Sequence, residues 1–138
     1  MRTIKFRAKV KKTRAEISIG KKPDDGTWVV GDMHYYNTGV PHIHYDMVHR
    51  VSVDVETVGQ HTGLHDKNGK DIYESDIVKC GNFVYQVVYE DKRFASFALR
   101  RKEDMFLHYF GEAMEAKDCE VIGNIHDNPE LLNQKSNE

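Results

Sequence analysis

The 138-residue chain has only two cysteines, Cys80 and Cys119, and they form no C-x-x-C pair. This excludes a cysteine-rich disulfide scaffold and a thiolate zinc module. In a reducing compartment such residues are expected to serve as small hydrophobes, although spacing alone does not decide whether two cysteines meet. No apolar run approaches the ~18 residues of a membrane span. The opening Arg2-Thr3-Ile4-Lys5 lacks the apolar core of a secretory leader. A cytoplasmic protein without membrane contact is therefore expected. There is no G-x-S-x-G elbow and no histidine adjacent to either cysteine. Gly59-Gln60-His61-Thr62-Gly63 lacks the Lys-Ser/Thr ending of a phosphate-binding loop. No catalytic residue and no cofactor are expected, and the chain reads as non-enzymatic. Internal repeats and low-complexity linkers are also missing.

What is present is enough for a core. Hydrophobic residues make up 39% of the chain, and its 6 Phe, 7 Tyr and 1 Trp argue against wholesale disorder. The net charge of -2 conceals an asymmetry. Residues 1–22 carry nine Lys or Arg against Glu16, a local +8, whereas residues 103–138 carry nine acids against Lys117 and Lys135, a local -7. Such a head and tail could pair within one molecule, between copies in a homo-oligomer, or with separate partners.

Periodicity points to strands. Ile4, Phe6, Ala8 and Val10 alternate with Lys5, Arg7, Lys9 and Lys11, which puts apolar groups on one face and cations on the other. Ala15 to Gly20 reads as a short returning strand, Pro23-Asp24-Asp25-Gly26 as a turn, and Thr27 to Val30 as a strand. Residues 31–50 could form a long excursion or a hairpin. Val51, Val53 and Val55 again alternate with polar residues. Asp66-Lys67-Asn68-Gly69 is a turn, and strands follow at Ile77–Cys80, Phe83–Tyr89 and Phe94–Leu99. Residues 105–116 fit a helix, although 106–110 also fit a strand. Cys119–Ile125 closes the sheet, and Asn128-Pro129 opens a short helix. Short strands at intervals of about ten residues suggest a small barrel or sandwich.

Three blocks carry a resemblance. They are Ile4-Lys5-Phe6-Arg7-Ala8, the run from Glu56 through Gly59-Gln60-His61-Thr62-Gly63-Leu64-His65-Asp66-Lys67-Asn68-Gly69 to Lys79, and the ending Glu120-Val121-Ile122-Gly123-Asn124-Ile125-His126-Asp127-Asn128-Pro129-Glu130-Leu131-Leu132. Together and in this order they resemble the YopX family. The resemblance implies a phage or prophage protein with a mainly β fold that includes an SH3-like small barrel, and it brings no catalytic or cofactor residues. The expected layout is an N-terminal β-rich part over 1–56, a barrel core with C-terminal strand and helix over 57–132, and a frayed tail over 133–138. Ser75 stands where the family commonly has Gly, Lys9 where Trp is usual, and His61 where an aromatic is frequent. Ser75 matters most, because Gly there would suit a positive-φ turn.

Three binding chemistries compete. The resemblance and the lack of a catalytic motif favour an accessory protein that binds a host or phage protein. The strip Lys5, Arg7, Lys9 and Lys11, extended by Arg93, Arg100, Arg101 and Lys102, suits DNA or RNA phosphates, with Tyr35, Tyr36 and Tyr45 as stacking surfaces. An edge strand kept soluble by its lysines is the plainer reading of that strip. Six of the eight histidines fall between His34 and His65. His42, His44, His61 and His65 are the weak candidates for zinc, since no ligand spacing supports them. A calcium loop over Asp66–Asp76 fails because Gly69 sits at the fourth position rather than the sixth.

Overall fold

The computed structural model describes residues 4–20, 22–36, 39–92, 95–101, 107–111 and 114–133. The chain divides into two units, residues 1–61 and 62–138.

In the first unit the opening alternation forms β1 (Phe6–Lys9), which pairs antiparallel with β2 (Trp28–Tyr35). Beyond β2, β3 (Pro41–His44) and β4 (Arg50–Ser52) follow as hairpin partners. Residues 31–50 are thus a continuation of β2 and two hairpins. A side chain at Gly31 would collide with the His44 carbonyl, so glycine there permits the close approach of β3. On its other side β1 meets the start of β5 (Gly59–His65), with Phe6 opposite Gln60. The inward faces supply Ala8, Val10, Val29, Ile43, Val51 and Val53, all buried. Burying each Val or Ile contributes about 1.5–3 kcal/mol.

The segment read as a returning strand at 15–20 is instead a helix, α1 (Arg14–Ile19). Thr13 and Glu16 form a reciprocal capping box: the Thr13 hydroxyl accepts from the Glu16 N–H, and the Glu16 carboxylate accepts from the Thr13 N–H at 3.0 Å. Gly20 ends the helix at φ 75°. The Thr-x-x-Glu spacing was the local signal for this helix. Glu16 does more than cap. Its carboxylate accepts from the Ser52 N–H at 3.0 Å and from the Ser52 hydroxyl, and Lys22 lies 3.3 Å away.

The second unit has a separate core of Ile72, Val78, Cys80, Tyr85, Val87, Leu99, Ala116 and Cys119. Here the later residues of β5 precede β6 (Asp71–Tyr73). Asp66 organises the turn between them. Its carboxylate accepts from the N–H groups of Asn68 at 2.8 Å, Lys70 at 2.9 Å and Val121 at 2.9 Å. Burial pushes this carboxyl upward, but the three N–H groups prevail and hold it below the ordinary value. Next come β7 (Asp76–Cys80), β8 (Phe83–Glu90), β9 (Ser96–Arg100), β10 (Leu107–Tyr109) and β11 (Cys119–Asn124). They form a five-stranded antiparallel sheet in the order β10-β9-β8-β7-β11.

The SH3-like barrel expected within 57–132 is therefore not formed. Closure requires the outer strands of one sheet to bond to each other. Here β10 and β11 remain separate edges, while β5 and β6 follow β1 in the order β4-β3-β2-β1-β5-β6. The result is a mainly β protein with two open antiparallel sheets. An isolated bridge between Val10 and Val53 brings the chain after β4 against β1 without joining edges by a ladder.

Three further points are decided. Of the helix and strand alternatives within 105–116 the strand is formed, at Leu107–Tyr109, while residues 105, 106, 112 and 113 lie outside the described set. The C-terminal helix is a short 3-10 turn at Pro129–Asn133, and residues 134–138 of the expected frayed tail are outside the described set. Cys80 and Cys119, read as separate hydrophobes, stand directly opposite each other on β7 and β11 with Cα atoms 4.4 Å apart and form a disulfide. Register, invisible in the spacing, decides this.

Ser75 adopts φ 77° at the corner between β6 and β7. Its N–H donates to the Val87 carbonyl and its own carbonyl accepts from the Ile125 N–H, so the backbone is held there from both sides. A left-handed conformation costs a non-glycine residue about 1–2 kcal/mol. Ser75→Gly should raise stability by about 0.5–1 kcal/mol after the entropy that glycine adds to the unfolded chain. Urea denaturation checks this, and a lower midpoint would refute the strain.

Burial raises the Glu16 carboxyl, but the hydroxyl and N–H of Ser52, the Thr13 N–H and Lys22 more than offset it and lower it from 4.5 to about 2. A depressed carboxyl stabilises the folded state above its unfolded value, and this contribution is lost as pH falls from about 4.5 toward 2. Glu16→Ala should cost about 2–4 kcal/mol at neutral pH, from the lost cap and the stranded Ser52 N–H. The gap from the parent protein should narrow with acid in urea titrations at several pH values.

Candidate nucleic-acid interface

Strand alternation decides what the outer face of the first sheet presents. With Ala8, Val29, Ile43 and Val51 turned inward, the residues between them turn outward. Direct opposition across the ladders then assembles rows. Lys9 stands opposite Trp28 and Arg7 opposite Val30. Asp32, His44 and Arg50 form one row across β2, β3 and β4, and His34, His42 and Ser52 form the next.

Two aromatic–cation groups result. The Arg7 guanidinium carbon lies 4.8 Å from the Trp28 ring centroid and the Lys9 ammonium 5.5 Å from it. Both distances fall within cation–π range. Near the other end of β2, the Arg50 guanidinium carbon lies 4.0 Å from the Tyr36 ring centroid. The Tyr36 hydroxyl is hydrogen-bonded to Nε2 of His44 at 2.6 Å. His42 meets Tyr36 edge to face at 4.8 Å, and His34 meets His44 at 5.4 Å. The His42 ring donates from Nδ1 to the Val40 carbonyl at 3.0 Å, which fixes its tautomer and leaves Nε2 as the acceptor of the neutral ring.

The sequence candidates fall out as follows. Arg7 and Lys9 lie on β1, with Lys5 before it and the exposed Lys11 after it, where the Lys11 N–H donates to the Ser52 carbonyl. Arg100 and Arg101 belong to the second unit. There Arg100 donates to the Gln86 side chain at 3.3 Å, and Arg101 lies 4.3 Å from the Phe83 ring centroid. Arg93 and Lys102 lie outside the described residues. Among the tyrosines Tyr36 joins the outer cluster, Tyr45 packs against the first core and stacks with His49, and Tyr35 stands opposite Pro41 with its ring exposed.

Of the four zinc candidates, His42 and His44 share the outer face of β3 with His34 alongside. His61 is buried on β5, and its N–H donates to the Lys5 carbonyl. His65 pairs through Nε2 with the Asp71 carboxylate at 2.9 Å.

Trp28, His34 and Arg50, which join these aromatic–cation groups, were not among the sequence candidates for a nucleic-acid surface. The alternation Trp28, Val30, Asp32, His34 was present to be found, but it is visible only if the strand continues through Gly31.

Among the described residues no helix is long and apolar enough to cross a membrane. No curated protein matches the chain. The family model described as YopX protein matches residues 5–133, nearly the whole length. The chain is a member of the YopX family, a phage- and prophage-associated family, as the three sequence blocks implied.

Proposed function

We propose that this phage-family protein is an accessory protein that binds nucleic acid through the outer face of β1–β4. The observation that carries the reading is the placing of the half-buried Arg7 and Lys9 against Trp28 on the outward side of β1 and β2. Successive outward cations on such a strand are ~6.6–6.8 Å apart. This is about twice the ~3.4 Å axial step between phosphates along one B-form strand. On this face Lys5, Arg7, Lys9, Lys11 and Arg50 outnumber Asp32 and the Glu16 carboxylate that accepts from the outward Ser52 hydroxyl, so the balance favours an anionic partner. The solvated-strand reading accounts for the lysines alone; it does not account for aromatic rings interleaved with them.

Substitution of Lys5, Arg7, Lys9 and Lys11 together by Gln should weaken oligonucleotide binding about tenfold or more. It should also flatten the dependence of log K on log salt by roughly 0.7 for each contact removed. Quenching of Trp28 fluorescence, the signal of the one tryptophan in the chain, reports both. An unchanged affinity and slope would remove the strip as the binding surface.

One observation favours a second reading, in which the partner is a host or phage protein. Met47 and Val48 stand 101% and 82% exposed at the tip between β3 and β4. The tip is braced by Asp46, whose carboxylate accepts from the N–H groups of Val48 at 2.8 Å and His49 at 2.7 Å. The Val48 N–H and then the His49 ring lower the Asp46 carboxyl below its ordinary value. A braced tip that holds apolar side chains in water resembles an anchor for a partner's pocket. Under this reading, nuclease-treated affinity capture from phage-infected cells recovers a protein with the parent chain and loses it with Met47→Asp and Val48→Asp combined. Equal recovery by both would end this reading.

A further inference from the structure

The Tyr36 cluster lies on the same outward sheet face as the basic strip, and phosphate attraction does not explain it. Four rings, His34, Tyr36, His42 and His44, lie with neighbouring centroids 4.8–6.1 Å apart, and the Arg50 guanidinium covers the Tyr36 ring. The Tyr36–His44 bond and the His42–Val40 bond hold three of these rings in place before any ligand arrives. His34 and Arg50 are exposed, and Tyr36, His42 and His44 are half-buried. Each ring has only two side-chain torsions, so little rotamer entropy remains to be lost on binding.

We propose that this cluster is a base-stacking platform that makes the protein selective for single-stranded nucleic acid. The inference rests on the nucleic-acid reading of the basic strip. The argument is one of available surfaces. In a duplex the faces of the bases are already stacked on one another, and only phosphates and groove edges are offered. In a single strand each base has a free π face, which aromatic rings and guanidinium planes accept with little regard to sequence. The strip and the cluster divide the work along β2. Arg7 and Lys9 lie beside Trp28 at its start and attract the backbone, while Tyr36, just beyond its end, with Arg50 and the imidazoles takes the bases. Asp32, in the row with His44 and Arg50, repels phosphate locally, which favours a base over the backbone at this end.

The test compares four 12-mers at one salt concentration: oligo-dT, oligo-rU, an abasic strand with the same phosphates, and a duplex. The parent protein should bind oligo-dT and oligo-rU about tenfold more tightly than the abasic strand or the duplex, the size expected for stacking of one base. Tyr36→Ala should erase that preference and leave abasic binding unchanged, while Tyr36→Phe, which keeps the ring and loses the hydroxyl, should retain most of it. His34→Ala, at an exposed position, gives a second reading of the platform should Tyr36→Ala fold poorly by circular dichroism, and it should reduce the preference severalfold. Equal binding of oligo-dT and the abasic strand by the parent protein would overturn the platform and leave the basic strip standing. A preference that survives both ring substitutions would also overturn it. Binding to none of the four, even at low salt, would overturn the nucleic-acid reading together with it.

Discussion

A chain built of strands three to eight residues long reverses often, and each reversal leaves backbone N–H groups that need an acceptor. Burying one without a partner costs as much as a sizeable mutation. Carboxylates meet that demand. Asp66 takes three N–H groups, Glu16 caps α1 and holds the Ser52 N–H, Asp76 takes the Tyr73 N–H at 2.7 Å, and Asp54 takes the Glu56 N–H at 3.1 Å. The acidic residues that resemble a calcium loop in the sequence include two of these acceptors, Asp66 and Asp76. With Asp66 and Glu16 held in the ionised form by their donors, the folded turns depend on charge as well as on packing.

That arrangement has a consequence for function. With the corners secured by carboxylates, the outward positions of β1–β4 carry mainly cations and rings. On that face Trp28 and Tyr36 each sit against a guanidinium, and the imidazoles of β2 and β3 cluster around the tyrosine. The family match gives a description and a residue range, and the chemical reading of that surface rests on these residues themselves.

Much of the strand content was legible. Phe6, Ala8 and Val10 alternate with cations and become the buried and outward sides of β1 and its bridge. The stretches read at 77–80 and 83–89 become β7 and β8. Local rules failed where a weaker signal was overlooked or a second turn type was available. α1 was missed because six residues show too little periodicity, although Thr13-Arg14-Ala15-Glu16 announced its start. At Asn68-Gly69 only Gly69 takes positive φ, since the Asp66 carboxylate imposes a longer turn.

The sequence by itself determined the family, the mainly β content and the existence of a basic strand, because these depend on residue identity and on a two-residue period. Tertiary structure alone decided that the sheets stay open, that Cys80 faces Cys119, and that His34, Tyr36, His44 and Arg50 gather on one face. Each of these is a matter of which strand lies beside which, and in what register. Alternation states which way a side chain points, while its neighbours are chosen by backbone pairing between segments far apart in the chain.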